Sequence, residues 1–174
     1  MLTNPSPLDR IKIGIATLGN IGFVPKIPGT VGSFAALLLA GAVHYAVGME
    51  RAGYVLLGAT GIGVMLGLWA VPLMETHWGD DPSCVVIDEL VGMWTVLAFV
   101  ELMPMFLKIP SHLVWWSLGA FVLFRVFDIA KPFPISQLNE QKGAFFVIVD
   151  DLVAGIFASV GLLLIWLIWQ LLGN

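Results

Sequence analysis

Two phrases of the sequence repeat one another: Val86-Ile87-Asp88-Glu89-Leu90-Val91-Gly92 and Ile148-Val149-Asp150-Asp151-Leu152-Val153-Ala154-Gly155. Each sets two adjacent carboxylates in a run otherwise fit for a lipid bilayer. A carboxylate at the centre of a membrane helix costs about 2.5–3.5 kcal/mol on insertion scales, so these four ask for a buried cation or a polar cavity. Asp81 and Asp128 extend the set to six, against Arg125, Lys131 and Lys26 as the nearby cations. Protein charge alone does not balance that cluster. Hard oxygen ligands with no His or Cys among them suit Mg2+, which takes one or two carboxylates per ion and keeps waters for an oxyanion substrate. The competing reading leaves some acids protonated or paired with Arg125 and Lys131 as structural salt bridges. For one acid that reading is the better one; for six in one layer, metal is.

Two further stretches carry groups that suit a phosphate. Lys26-Ile27-Pro28-Gly29-Thr30-Val31-Gly32-Ser33 leads into the first apolar run. Gly29 and Gly32 free the backbone, Thr30 and Ser33 offer hydroxyls, and a helix N-terminus favours an anion. The same stretch reads equally as an ordinary capped turn, and it is no P-loop, because no Gly-Lys-Ser/Thr ending follows. In Phe124-Arg125-Val126-Phe127-Asp128-Ile129-Ala130-Lys131-Pro132, Arg125 and Asp128 share a helix face and Pro132 ends the helix near Ala130. Arg125 and Lys131 could clamp a phosphate, or Arg125 could simply pair with Asp128. His44, mid-helix, and His77, in a loop, are read as structural or incidental. Cys84 is not the nucleophile of a Cys-x5-Arg phosphatase, because Leu90 stands at the arginine position. No Asp-x-Asp nucleophile, no Asp-Gly pair of the phosphotransferase kind and no histidine lipid-phosphatase signature is present. Metal-assisted chemistry with acidic ligands remains.

The elements that must position these residues are membrane helices. Of 174 residues, 59% are hydrophobic and 11% charged, with mean hydropathy +0.94, which marks an integral membrane protein of one domain, residues 1–174. A net charge of −4 excludes a basic field for nucleic acid. One cysteine excludes an internal disulfide and a cysteine metal cage. Pro5, Pro7, Asp9 and Arg10 lack the basic-then-apolar order of a cleaved signal peptide, so the first membrane segment is expected to stay in place. Runs near the 20 residues that cross a bilayer fall at Val31–Val47, Ala52–Met74, Cys84–Met103, Leu113–Ala130 and Phe145–Leu172. The fold expected is an all-α bundle of about five membrane helices, with Ile11–Val24 an interfacial or half-inserted helix. Short connections at Gly48–Arg51, Glu75–Ser83, Pro104–His112 and Lys131–Ala144 make neighbours antiparallel. Arg10, Lys12, Lys26, Lys131 and Lys142 then share one face, against Arg51 and Lys108, and the positive-inside rule makes that face cytoplasmic. Trp115, Trp116, Trp166 and Trp169 fall near the other end. All six acids and the Pro28–Ser33 turn gather in the cytoplasmic layer, and Gly92, Ala154, Gly155 and Ala158 let the acidic helices approach closely.

Pro28-Gly29-Thr30-Val31-Gly32-Ser33, Asp81-Pro82 with Val85 to Gly92, Phe124-Arg125 through Asp128 to Lys131-Pro132-Phe133-Pro134, and Asp150-Asp151 to Ala154-Gly155, in that order, resemble the phosphatidylglycerophosphatase A family of bacterial membrane phosphatases. The resemblance covers most of the chain. It implies Mg2+-dependent conversion of phosphatidylglycerophosphate to phosphatidylglycerol and inorganic phosphate at a bacterial inner membrane. On this reading Asp88, Glu89, Asp128 and Asp151 are the catalytic set. Asp81, Asp88, Glu89, Asp128, Asp150 and Asp151 are the metal ligands, and Lys26, Gly29, Thr30, Gly32, Ser33, Arg125 and Lys131 hold the phosphate. An ion-coupled transporter is the alternative of another class, since repeated acids at membrane depth also mark coupling-ion sites. It needs a site at the midplane, whereas these acids gather toward one end. A purely structural membrane subunit would leave the acidic layer without a purpose.

Overall fold

The computed structural model of the chain describes residues 5–107 and 113–172. The first helix, α1 (Pro7–Ala16), opens with a capping box: the Asp9 N–H donates to Ser6 Oγ and the Ser6 N–H donates back to Asp9 Oδ2. Pro7 at its start removes a donor that would have had no partner. At 10 residues α1 is about 15 Å long, half of a bilayer core, and its length is that of an interfacial helix rather than a span. A turn through Leu18, Gly19 and Asn20, all with positive φ, leads to a 3-10 turn at Ile21–Phe23. The expected single segment 11–24 is therefore two pieces, the first beginning before it. Lys12 reaches over the Trp69 ring at 4.9 Å, holding α1 against the long helix Met49–Trp78.

Five long helices follow: α2 (Pro28–Val47), α3 (Met49–Trp78), α4 (Ile87–Leu107), α5 (Leu113–Ala130) and α7 (Ala144–Leu171), with the short α6 (Ile135–Asn139) between the last two. Among the described residues, four of them, α2, α3, α5 and α7, are long and apolar enough to cross a membrane. The fifth, α4, is about as long but carries Asp88, Glu89 and Glu101, and it lies at the centre of the bundle against all four others. Several expected boundaries move. The α2–α3 connection shrinks to Gly48, whose φ of 79° suits glycine. Helix α3 runs to Trp78, so His77 stands on its last turn, Nδ1 against the Leu73 carbonyl, and not in a loop. Residues Cys84–Val86 are not helical: the Val85 N–H donates to Pro82 O and the Val86 N–H to Ala16 O, fastening this segment to the end of α1. Pro104 lies within α4, and Lys108 and His112 fall outside the described residues.

Packing at the centre depends on glycine. A Cβ on Gly92 would strike the Asp151 carbonyl and the Phe124 ring, and one on Gly155 would strike the Gly92 carbonyl. Helices α4 and α7 thus cross backbone to backbone, in the close approach that small residues allow in membranes. Asp88 and Asp151 each stand four residues before the glycine at that crossing, so the contact that packs the helices also gathers their acids. The Trp94 ring N–H donates to the Ala36 carbonyl at 2.9 Å and fixes α2 against α4.

Candidate active site

The N-termini of α2 and α4, the early turns of α7, the C-terminus of α5 and the segment before α4 surround one cavity of about 400 Å³. Lys26, Gly29, Thr30, Asp81, Asp88, Glu89, Arg125, Asp128, Lys131, Asp150 and Asp151 line it. All six expected carboxylates and all three cations are therefore brought together, on elements far apart in the chain. Gly32 and Ser33 stand behind the wall. A Cβ on Gly32 would meet the Val86 side chain, so this glycine serves the contact of α2 with the segment before α4. Ser33 is buried and donates to the Gly29 carbonyl at 2.8 Å, while its oxygen accepts from Arg125 at 3.3 Å. Its work is to place the guanidinium.

The carboxylates divide into two kinds. Asp88, Glu89 and Asp151 each present an oxygen within 4.8 Å of the others, the spacing of a shared cation. Glu89 Oε2 and Asp151 Oδ2 are buried with no hydrogen-bond partner. Ionised carboxylates are acceptors only, so a buried group of this kind requires either protons or a cation. The donor set is all oxygen, and it fits a hard divalent ion. Asp128 and Asp150, in contrast, are occupied. Asp128 Oδ2 pairs with Arg125 at 2.6 Å. Asp150 Oδ2 pairs with Lys131 Nζ at 2.5 Å, and its other oxygen accepts the Asp151 N–H at 3.0 Å. Asp81, on the loop before α4, completes the rim.

The cationic side of the cavity is built with equal care. Arg125 bonds Asp128 and Ser33 through one terminal nitrogen, and its Nε is buried without a partner. Lys131 is held by Asp150 and by Asn139 on α6. Burial acts to lower the Lys131 pKa, but the hydrogen bond and charge of Asp150, with the charges of Asp151 and Asp128, outweigh it and raise the value above that of an ordinary lysine. A Cβ on Gly29 would fall on Glu89 Oε1 and close to Arg125, so only glycine lets the start of α2 approach both. Pro28 opens α2 and the Val31 N–H bonds Ile27 O, which leaves the Gly29 and Thr30 N–H groups without partners inside the helix. Lys26, Asp81 and Lys131 all have φ between 41° and 74°, a region that L-residues occupy at a cost of about 1–3 kcal/mol each. Three strained non-glycine residues on the wall of one cavity are a mark of function.

Ile27, Pro82, Ser83 and Ile129 also line the cavity; Ile27, Pro82 and Ile129 fall inside the motifs quoted above without being named as site residues, and Ser83 directly follows Asp81-Pro82. Glu101 was likewise missed. It sits 7% exposed on α4, twelve residues past Glu89, and contacts His44 Nδ1 at 3.0 Å, which gives that histidine a structural partner. Asp88, Glu89 and Asp128 lie at the ends of their helices, Asp150 and Asp151 early in α7 and Asp81 on the loop before α4, so the six do not build the midplane site that an ion-coupled transporter needs.

A family model described as phosphatidylglycerophosphatase A matches residues 14–166, nearly the whole chain. A phosphatidylglycerophosphatase A of Haemophilus influenzae is 32% identical over 157 residues, covering 89% of this chain and 86% of the relative. The phosphatidylglycerophosphatase A of Escherichia coli K12 is 31% identical over 155 residues, covering 88% of this chain and 80% of the relative. A protein of Bacteroides thetaiotaomicron named "Putative phosphatidylinositol-3-phosphatase" is 32% identical over 152 residues, covering 86% of this chain and 90% of the relative. No solved structure matches the chain.

Proposed function

The chain belongs to the phosphatidylglycerophosphatase A family, and from that premise we propose that its cavity removes the terminal phosphate of phosphatidylglycerophosphate, giving phosphatidylglycerol and inorganic phosphate. The observation that carries this reading is the group of buried Asp88 and Asp151 with half-buried Glu89, with two unpartnered buried carboxylate oxygens, facing Arg125, Lys131 and the first turn of α2 across one cavity. Mg2+ is the cofactor proposed, held by Asp88, Glu89 and Asp151; when bound it would neutralise phosphate oxygens and acidify water.

The chain's own groups supply the rest. The free Nε of Arg125 and the ammonium of Lys131 bind the equatorial oxygens of the monoester, and the Gly29 and Thr30 N–H groups add donors at the start of α2. Ser33, Asp128 and Asp150 hold the two cations in place through the bonds already described. Water attacks phosphorus in line, the bond to the glycerol oxygen breaks, and a proton passes to that oxygen, so the products are a lipid alcohol and inorganic phosphate. A cavity carboxylate takes the proton of the attacking water. No phosphoenzyme forms on this reading, which rests on the lack of covalent phosphatase signatures in the sequence. The proposed setting is a bacterial inner membrane with the cavity at the cytoplasmic face, a reading supported by the lysine and arginine asymmetry.

Phosphate release by the purified protein tests the proposal, with phosphatidylglycerophosphate and phosphatidylinositol 3-phosphate compared after chelation and after return of Mg2+. Release from the first lipid that depends on the divalent ion is expected. Full activity after exhaustive chelation would overturn the metal, and faster release from the inositol lipid would overturn the substrate. Single-turnover hydrolysis in oxygen-18 water decides the mechanism: heavy oxygen in an aspartate side chain would replace direct attack by a covalent route.

A further inference from the structure

A second cavity, of about 470 Å³, lies on the seam between α2 and α5 with α4 as its floor. Leu37, Leu38 and Gly41 of α2, Leu97 of α4 and Leu118 of α5 line its apolar part, and the paired His44 and Glu101 close its far end. The same two helices wall the catalytic cavity, through Pro28 and Gly29 on one side and Arg125, Asp128 and Ile129 on the other. Between the two cavities, α2 and α5 meet through Phe34 and Phe121, packed edge to face at 6.3 Å. The facing apolar sides of α2 and α5 thus line up from the phosphate site, past this aromatic pair, to the second cavity.

Its length matches half a bilayer. Leu37 and Gly41 lie eight and twelve residues beyond Gly29 along α2, which is about 12 and 18 Å. Leu118 lies ten residues before Asp128 on α5, about 15 Å. One leaflet of a hydrocarbon core about 30 Å thick measures about 15 Å, so a lipid whose phosphate sits in the catalytic cavity ends its chains at the depth of the second cavity. On the lipid phosphatase reading above, we propose that this seam seats an acyl chain of the substrate itself, with the His44 and Glu101 pair as a polar floor that limits how far the chain can reach. The enzyme thereby recognises a membrane-embedded diacyl lipid in preference to a free phosphomonoester.

Gly41→Phe tests this, because a Cβ at Gly41 meets no atom within 4 Å and Gly41 lines the groove that the larger side chain is meant to fill. The readout is the ratio of kcat/KM for dipalmitoyl phosphatidylglycerophosphate in mixed micelles to that for the soluble dihexanoyl analogue. The ratio is expected to fall roughly tenfold, the loss of about two buried methylenes, while Gly58→Phe, on an open face of α3, leaves it unchanged. An unchanged ratio in Gly41→Phe overturns the proposal, as does an equal fall in Gly58→Phe. Should Gly41→Phe fail to fold, Leu118→Trp is read in the same way. A substrate analogue with a diazirine at the end of one acyl chain separates this idea from the phosphatase reading, since labelling is scored whether or not the lipid is turned over. Labels on residues 37–41 and 113–118 support the seam, and labels spread over the outer face of α3 refute it. Wild-type protein that is labelled in the seam yet releases no phosphate would sink the enzymatic reading alone.

Discussion

Asp150 commits both oxygens inside the protein, one to the Asp151 N–H and one to Lys131, whereas Asp151 Oδ2 is buried with no partner. The two neighbours should therefore respond differently to loss of charge. Asp88→Asn, Glu89→Gln and Asp151→Asn are each expected to lower kcat by more than about a hundredfold, beyond what the outer partners of a metal site cost. Asp150→Asn, which frees Lys131, should raise KM for the lipid more than it lowers kcat. Steady-state kinetics on variants with unchanged thermal unfolding check both. Lys131 gives a pH signature. Its pKa is raised in the folded state, so the stability it contributes is fully present below the unfolded value of about 10.4 and is lost as pH rises through the higher folded value. The difference in Tm between wild type and Lys131→Met should stay constant from neutral pH to about 10.4 and shrink above it. A difference that disappears near neutrality would show that the pair with Asp150 does not hold the ammonium. Residue types alone revealed the acidic group and its cations, but not this division of labour. The repeated phrases align Asp88 with Asp150, while the helix crossing aligns Asp88 with Asp151, because the glycines rather than the acids set the register.

At the scale of elements, the crossing of α4 and α7 at Gly92 and Gly155 determines where the acids meet. Gly92→Ala places a methyl group on a backbone carbonyl and an aromatic ring, neither of which can turn aside. Overpacking of a fitted core costs about 1–3 kcal/mol, so this variant should lower Tm, and because Asp88 and Asp151 move apart it should also lose activity. Gly14→Ala, at a position where a Cβ meets no atom within 4 Å, is the control expected to change neither. Activity retained in Gly92→Ala would mean that the crossing tolerates separation. The apolar runs gave away the long helices to within a few residues, since hydrocarbon thickness fixes their length. Three details escaped that logic: the non-helical Cys84–Val86, the extension of α3 through His77, and Glu101 on α4. The first and last depend on a partner distant in sequence, Ala16 and His44, whereas the extra turn of α3 is held by local bonds of Thr76 and His77 to the Pro72 and Leu73 carbonyls.

For the molecule as a whole, the charged residues Arg10, Lys12, Lys26, Lys131 and Lys142 belong to the end that holds the cavity, and Arg51 to the other. A cysteine at position 142, introduced after Cys84 is removed, should resist an impermeant thiol reagent in intact cells and react once the membrane is opened. The Lys142 side chain is 79% exposed, so ready labelling in intact cells would mean that the orientation is inverted rather than that the site is hidden. The central position of α4 has a further consequence, for the order in which the protein is made. During synthesis α4 leaves the ribosome well before α7, the helix that supplies Asp151 and closes over its acids. A carboxylate at mid-helix costs about 2.5–3.5 kcal/mol in lipid, and Glu101, unlike Asp88 and Glu89 in the first turn, lies inside the apolar run, so until then α4 must shelter it against the hairpin of α2 and α3, where His44 can already meet it. A chain stopped before residue 144 should consequently hold α4 poorly in the membrane, and His44→Leu should worsen that retention. Glycosylation mapping of arrested chains would show whether the last helix to be born is the one that makes the central helix permanent.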